Sequence, residues 1–230
     1  MPDCHKIYAA RAIRYDRLVS CEDYQGNISR AVQSLAALDG ANVIEPGAGT
    51  GRLTGLLAPW VRSICAFDLS PHMLGVAQNK LSQSGLRNWQ LAVADHRHLP
   101  LPNACADLVV SGWSVCYLAV DYPQSWPDEL ERGLAEMRRV LRPGGSILLL
   151  ETLGTGFETP HAPEPLREYF VFLEARGFES TWIRTDYRFA SLDEAEALAR
   201  FFFGDQLAQQ VVEQNWIVLP ECTGLWRLTV

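Results

Sequence analysis

Residues 42–53 constrain this chain more than any other stretch. They read Asn42-Val43-Ile44-Glu45-Pro46-Gly47-Ala48-Gly49-Thr50-Gly51-Arg52-Leu53. A short β-type run enters a turn with glycine at alternate positions, and a helix-permitting run follows. Those glycines let the backbone turn tightly and approach a ligand without Cβ obstruction. The helix start beyond supplies free N–H groups that favour an anionic group. A strand–loop–helix unit of this kind is a building block of parallel sheets.

The rest of the chain continues the alternation. Strands are predicted at 42–46, 62–68, 89–94, 106–111 and 145–151, with helices at 52–59, 71–84 and 125–141 between them. Further on come a helix near 163–176, a strand near 179–188, helices near 191–203 and 205–214, and a last strand near 224–230. The first 40 residues read as two helices, 6–20 and 25–38, the second ended by Asp39-Gly40. No repeat, low-complexity tract or linker interrupts the 230 residues, so one α/β domain is expected. With 48% hydrophobic and 20% charged residues, a packed core is favoured over disorder.

The formal net charge is −7, which opposes non-specific binding to phosphate backbones, although a local basic patch stays open. The six cysteines, at 4, 21, 65, 105, 116 and 222, show no C-x-x-C pair, so no metal site is expected and most are read as buried thiols. The N-terminus carries no signal-peptide pattern, and no apolar run is long enough to span a membrane. A cytoplasmic setting is therefore expected, in which the Asn27-Ile28-Ser29 sequon has no meaning.

Three acids define what the glycine loop could hold. A dinucleotide fingerprint needs a small residue three places after its second glycine. Here Arg52 stands there, one place after Gly51, and Glu45 precedes the loop, where a pyrophosphate gains nothing from an acid. Glu45 can instead meet a cation such as an amino group. Asp68 ends the second strand 21 residues after Gly47, at a distance suited to accepting hydrogen bonds from ribose hydroxyls. Ser70 and Pro71 then start a helix. Leu69 and Met73 could flank an adenine ring or simply pack. Asp95 ends the third strand, where it can accept from an adenine amino group, with the His96 backbone beside it.

Together with Ala106-Asp107-Leu108-Val109-Val110-Ser111-Gly112-Trp113 and Arg139-Val140-Leu141-Arg142-Pro143-Gly144-Gly145, these pieces resemble the class I S-adenosylmethionine-dependent methyltransferases. The likeness is greatest to the type 11 group, which includes small-molecule and quinone-precursor methylating enzymes. It is dense over 42–151 and thin elsewhere. The resemblance implies a Rossmann-like three-layer α/β sandwich with a seven-stranded, mostly parallel sheet whose last strand, Trp226 to Val230, is antiparallel and lies beside the strand near 179–188. It divides one domain into a helical N-terminal lid (1–40), a cofactor-binding half (41–152) and a C-terminal half with acceptor-side elements (153–230).

The implied cofactor is S-adenosyl-L-methionine. Glu45, Gly47, Ala48 and Gly49 would line its methionine end. Asp68 would hold the ribose, and Leu69, Met73, Asp95 and His96 would surround the adenine. Ser111 and Gly112 would stand where donor and acceptor meet. Tyr15 and Tyr24 could reach the donor from the lid, or be solvated tyrosines of an amphipathic helix. The chemistry would be in-line displacement, with the protein supplying proximity, alignment and any deprotonation. Trp113, Tyr117, His161 and Glu151 are the candidates for a catalytic part, the aromatics because a sulfonium tolerates ring faces.

The stretch Ser111-Gly112-Trp113-Ser114 lacks the Asn/Asp-Pro-Pro-aromatic pattern of amino-group nucleic-acid methylases, and no Pro-Cys pair exists. A small organic acceptor is expected, with no nucleic acid or membrane partner and no prediction of oligomeric state. A non-catalytic S-adenosylmethionine-binding module and an NAD(P)-dependent oxidoreductase are the alternatives.

Overall fold

The computed structural model describes residues 4–230, so the first three residues of the expected N-terminal lid lie outside the described residues. Its ten α-helices are α1 (Cys4–Ala10), α2 (Ala12–Val19), α3 (Asn27–Leu35), α4 (Arg52–Leu57), α5 (Pro71–Gln83), α6 (Cys116–Val120), α7 (Trp126–Val140), α8 (Arg167–Ala175), α9 (Leu192–Phe202) and α10 (Asp205–Glu213). Its nine strands are β1 (Asn42–Pro46), β2 (Ser63–Asp68), β3 (Trp89–Val93), β4 (Ala106–Gly112), β5 (Leu141–Thr155), β6 (Glu179–Arg184), β7 (Tyr187–Arg188), β8 (Val218–Leu219) and β9 (Glu221–Thr229).

Seven strands form one sheet in the order β3-β2-β1-β4-β5-β9-β6. The pairs from β3 to β5 are parallel, while β9 runs antiparallel to both β5 and β6. The expected reversed strand is thus present, inserted between β5 and β6. Alternation of side chains assigns the two faces. Ile44, Val109, Ile147 and Leu149 pack against Leu130, Leu134 and Met137 of α7 and Phe170 and Leu173 of α8. Their chain neighbours Val43, Leu108, Val110, Leu148 and Leu150 face Ile28 and Val32 of α3 and Leu53 and Leu57 of α4. Helices therefore cover both faces, which makes three layers.

Local chemistry fixes several helix starts. The Ser70 hydroxyl accepts the Met73 N–H at the start of α5, with Pro71 at its first position. Ser191 accepts the Glu194 N–H at the start of α9. In α7, Asp128 and Glu129 lie in the first turn and Arg138 and Arg139 in the last, complementing the helix dipole.

Four expectations are corrected. The helix predicted over 6–20 breaks at Arg11, whose φ of −133° is not helical. The strand predicted over 179–188 is two strands: β6 joins the main sheet, whereas β7 pairs with β8 in a separate two-stranded sheet. The fifth strand starts at Leu141 rather than 145, with Pro143-Gly144-Gly145 as an irregularity between its register positions Leu141 and Ser146. Only Cys116 and Cys222 are buried, and the other four cysteines are partly exposed.

Beyond the sheet, Leu18, Tyr187, Phe189, Leu198, Val211 and Leu219 form a third apolar cluster joining α2, β7, α9, α10 and β8. The Glu22 backbone bridges to Tyr187 in antiparallel fashion, so the chain after α2 lies along the small sheet. Among the described residues, no helix is long and apolar enough to cross a membrane.

Candidate functional site

The carboxyl ends of β1, β2 and β4 meet around the glycine loop, the usual ligand edge of an open α/β sheet. Gly47, Gly49 and Gly51 have φ of 76°, 54° and 75°, the left-handed region that side chains resist. Asp68 ties the loop to β2: its Oδ2 accepts the Gly49 N–H at 2.8 Å, and its Oδ1 accepts the Ser70 N–H at 2.8 Å. Burial pushes the Asp68 carboxyl up, and the two N–H groups offset part of that.

Glu45 lies behind the loop, 1% exposed, and accepts the Thr54 hydroxyl at 2.5 Å. Burial pushes it up to about 8, with the charge of Asp68 adding to the shift. A Cβ at Gly47 would stand 1.9 Å from Ser114 Oγ and 3.0 Å from His96 Nε2. The His96 ring nitrogen and Ser114 hydroxyl are 2.9 Å apart, and burial pushes His96 down to about 4. The loop, Asp68 and His96 therefore share one place.

Asp95 adjoins it but is gripped by Arg97, whose guanidinium reaches both carboxylate oxygens at 2.8 and 2.5 Å. The same guanidinium reaches Glu129 at 2.6 Å. Its hydrogen bonds hold Asp95 below the usual carboxylate range. Leu69 is 60% exposed, whereas Met73 is buried with its Cε 3.4 Å from where a Cβ on Gly49 would lie.

At the end of β4 the Ser111 hydroxyl donates to the Pro46 carbonyl at 2.7 Å inside the sheet. Any contact of Ser111 with a ligand thus falls to its backbone. A Cβ on Gly112 would come within 2.7 Å of Leu53 Cδ1, so this glycine lets α4 approach. Trp113 has φ of 50°, uncommon for a bulky side chain, and its ring lies 5.0 Å from the Arg52 guanidinium carbon.

The N-terminal helices reach this edge. The Tyr8 hydroxyl is 2.7 Å from that of Tyr117, and the Ser70 hydroxyl donates to the Tyr8 carbonyl at 3.0 Å. Tyr15 packs edge-on to Tyr8 at 5.2 Å and against Phe202 at 5.3 Å. Burial pushes the Tyr15 hydroxyl up, and the charges of Glu22 and Asp68 add to it. Tyr24 does not join them: it is exposed, with Arg188 over its ring at 3.7 Å.

Two catalytic candidates lie apart from the loop's own contacts. His161 is exposed and stacked on Phe157 at 4.1 Å. Glu151 is 1% exposed and accepts the Cys116 N–H at 3.0 Å and the Tyr169 hydroxyl at 3.1 Å. Burial pushes it up to about 7.

Residues that the sequence did not single out complete the edge. Arg52 Nη1 pairs with Glu22 Oε2 at 2.5 Å, both largely buried. Glu221, 1% exposed, accepts the Thr152 hydroxyl at 2.7 Å. Glu22 lies in the expected lid two residues before Tyr24, and Arg52 entered only as an argument against a dinucleotide. Tyr187 and Glu221 carried no local signal. Among the described residues no group of three or more His, Cys, Asp or Glu is placed to hold a metal ion.

A family model described as "Methyltransferase domain" matches residues 44–149. The chain is 36% identical over 177 residues to a malonyl-[acyl-carrier protein] O-methyltransferase of Hahella chejuensis, covering 73% of this chain and 57% of that one. It is 29% identical over 154 residues to a demethylmenaquinone methyltransferase of Staphylococcus aureus, covering 64% of this chain and 59% of that one. The matches thus span somewhat more than half the length of these curated relatives. Among solved structures, a SAM-dependent methyltransferase from Aquifex aeolicus superposes with a TM-score of 0.59 at 15% identity, covering 99% of this chain and 94% of that one.

Proposed function

This chain belongs to the class I S-adenosylmethionine-dependent methyltransferases of type 11, and we propose that it transfers a methyl group from S-adenosylmethionine to a small organic acceptor. The observation that carries the proposal is the Gly49–Asp68 bond, which joins the glycine loop to the carboxylate at the end of β2.

The residues present fit the donor. Three left-handed glycines make a cradle that a Cβ would fill. Asp68, with each oxygen engaged by one backbone N–H, keeps lone pairs for two ribose hydroxyls. Glu45 behind the loop offers a carboxyl that an ammonium group would draw into its charged form. Leu69 and Met73 supply apolar surface, and Asp95 and His96 polar edges, for a purine. The Ser114 hydroxyl stands over Gly47, at the place proposed for the methionine end.

When bound, the donor supplies a methyl group already activated by a positive sulfur. The chain's own residues then align the partners and exclude water. Tyr8, Tyr15 and Tyr117, brought together from α1, α2 and α6, serve as the covering layer. In this reading residues 1–40 form the lid, 41–152 the donor half and 153–230 the acceptor side of one domain. A cytoplasmic setting without nucleic acid or membrane partners is part of the same proposal. The relatives' acceptors, as their names give them, support a small-molecule substrate.

Titration calorimetry with S-adenosylmethionine, S-adenosylhomocysteine and NAD tests the donor. Binding of the first two and not of NAD is expected, and a preference for NAD would overturn the proposal. An acceptor screen with radiolabelled methyl donor then separates an enzyme from a binding module.

A further inference from the structure

The seam between α2, the start of α4 and the start of β9 holds more buried charge than its contacts satisfy. Arg52 opens α4 directly after Gly51, and its Nη1 is paired with Glu22. Its Nη2 is buried with no hydrogen bond, as are Glu22 Oε1 and Glu221 Oε2. Glu22 is 7% exposed and Glu221 1%. Buried polar groups in folded proteins are nearly always paired, so three such atoms in one seam point to a partner.

The seam adjoins the donor residues. Arg52 lies over Trp113 at the end of β4. Glu221 stands opposite Thr155 and bonds Thr152, near the end of β5, while its N–H donates to Asp186 at 3.0 Å. Tyr15 lies within reach of the charges of Asp68, Glu22 and Arg52, and Tyr187 within reach of those of Glu22, Arg52 and Glu221.

We propose that Arg52, Glu22 and Glu221 are the polar seat of the acceptor, and that the group seated there is a weakly acidic hydroxyl, a phenol or an enol. The inference rests on the methyl-transfer reading above and names its acceptor class. The seam offers one cationic N–H donor and two carboxylate oxygens. A hydroxyl matches both: its oxygen accepts from Arg52, and its hydrogen goes to a carboxylate. An ammonium group would be repelled by the guanidinium and leave the N–H unpaired. A carboxylate would satisfy Arg52 but face Glu22 and Glu221.

Burial pushes Glu221 up to about 8, with the charge of Glu22 adding to it, so as pH rises through that value the carboxyl ionises and can take the acceptor's proton. In the reaction the acceptor O–H bond breaks and its proton passes to the Glu221 carboxylate. The oxygen bonds to the methyl carbon as the carbon–sulfur bond breaks. The electron pair of that bond stays on sulfur, which becomes a neutral thioether. Arg52 steadies the oxyanion before attack, and Glu22 positions Arg52.

The test uses the full chain saturated with S-adenosylhomocysteine and three probes: 4-nitrophenol, benzoate and benzylamine. Binding is followed by calorimetry, and ionisation of the phenol by its visible absorbance. We expect 4-nitrophenol to bind best and to gain phenolate absorbance on binding. R52Q should weaken it at least tenfold. R52K, which keeps a cation for Glu22 and loses the second N–H, should weaken it severalfold with an unchanged melting temperature. E221Q should bind the phenol within threefold of the parent but without the gain in phenolate absorbance.

Tighter binding of benzoate or benzylamine, no binding of any probe, or indifference to both Arg52 variants would each overturn the proposal. Failure of S-adenosylhomocysteine itself to bind would sink the methyl-transfer reading, and this inference with it.

Discussion

The two sides of the site differ in how their charges are held. On the donor side, Asp68 is fixed by the N–H groups of Gly49 and Ser70, and Asp95 by Arg97. Every one of these bonds is local to the β1 and β2 loops or to residues 95–97. On the opposite side, Glu22, Arg52 and Glu221 come from three distant segments and leave polar atoms without partners. The difference teaches which side is preformed: one recognises a fixed ligand with its own backbone, and the other keeps unmatched groups for a second molecule.

Four measurements break or sharpen that contrast. The largest effect is expected at Gly47→Ala. A left-handed φ costs an L-residue about 1–2 kcal/mol, and the overlap with Ser114 adds about 1–3 kcal/mol of overpacking. Chemical denaturation should show a loss of about 3 kcal/mol, and Ser114→Gly in the same chain should restore part of it. No recovery would mean that Ser114 does not cover the loop.

Asp68→Ala comes next. Two charge-assisted hydrogen bonds to the ribose, together worth about 3 kcal/mol, correspond to a loss of about 100-fold in S-adenosylhomocysteine affinity. Calorimetry giving parental affinity would remove Asp68 from the donor side.

Glu45 should show itself through pH. Its folded pKa is raised from 4.5 to about 8, so between those values the folded form binds the extra proton. Its contribution is fully present below about 4.5 and is lost as pH rises through about 8. Without ligand, stability should fall by about 1.4 kcal/mol per pH unit over that window for this one group. Glu151, raised to about 7, adds a parallel fall over its own window. Melting curves of Glu45→Gln between pH 5 and 8 should be flatter than the parent's, and an unchanged slope would count against the assignment.

The smallest effects compare two tyrosines. Tyr8→Phe should cost about 1 kcal/mol, because Tyr117 loses its hydroxyl partner. Tyr24→Ala should stay within about 0.5 kcal/mol, as for surface sites in general, and leave donor affinity unchanged. A reversed order would mean that the covering layer is built from the other end of the N-terminal segment.

The donor side was legible because its chemistry is short-range. Asp68 stands two residues before the cap Ser70, and the loop glycines sit between their own strand and helix, so a dozen consecutive residues describe the unit. The sheet order and its reversed strand were legible through the family resemblance carried by residues 42–151. The other side was not. Tyr187 and Glu221 reach the site only because β9 inserts between β5 and β6 and because the Glu22 backbone bridges to Tyr187. Tyr24 was singled out and turns to the surface beneath Arg188, while Tyr8, in a helix read as continuous to residue 20, is the tyrosine that meets Tyr117. The break at Arg11, which no proline or glycine announces, separates the helices that carry Tyr8 and Tyr15.

The insertion of β9 also sets an order of assembly. In the sheet β6 pairs with β9 alone, and residues 185–220 must fold back before those two strands can meet. Closing that excursion, like the longer one that brings β4 to β1, is slow compared with pairing β1 and β2 across α4. The β1–β2 unit, with the glycine loop and Asp68, can therefore mature first, and Glu221 arrives with the late strand. A refolding chain would gain affinity for the adenosyl ligand before it gains a seat for anything else, a lag that stopped-flow ligand binding can time.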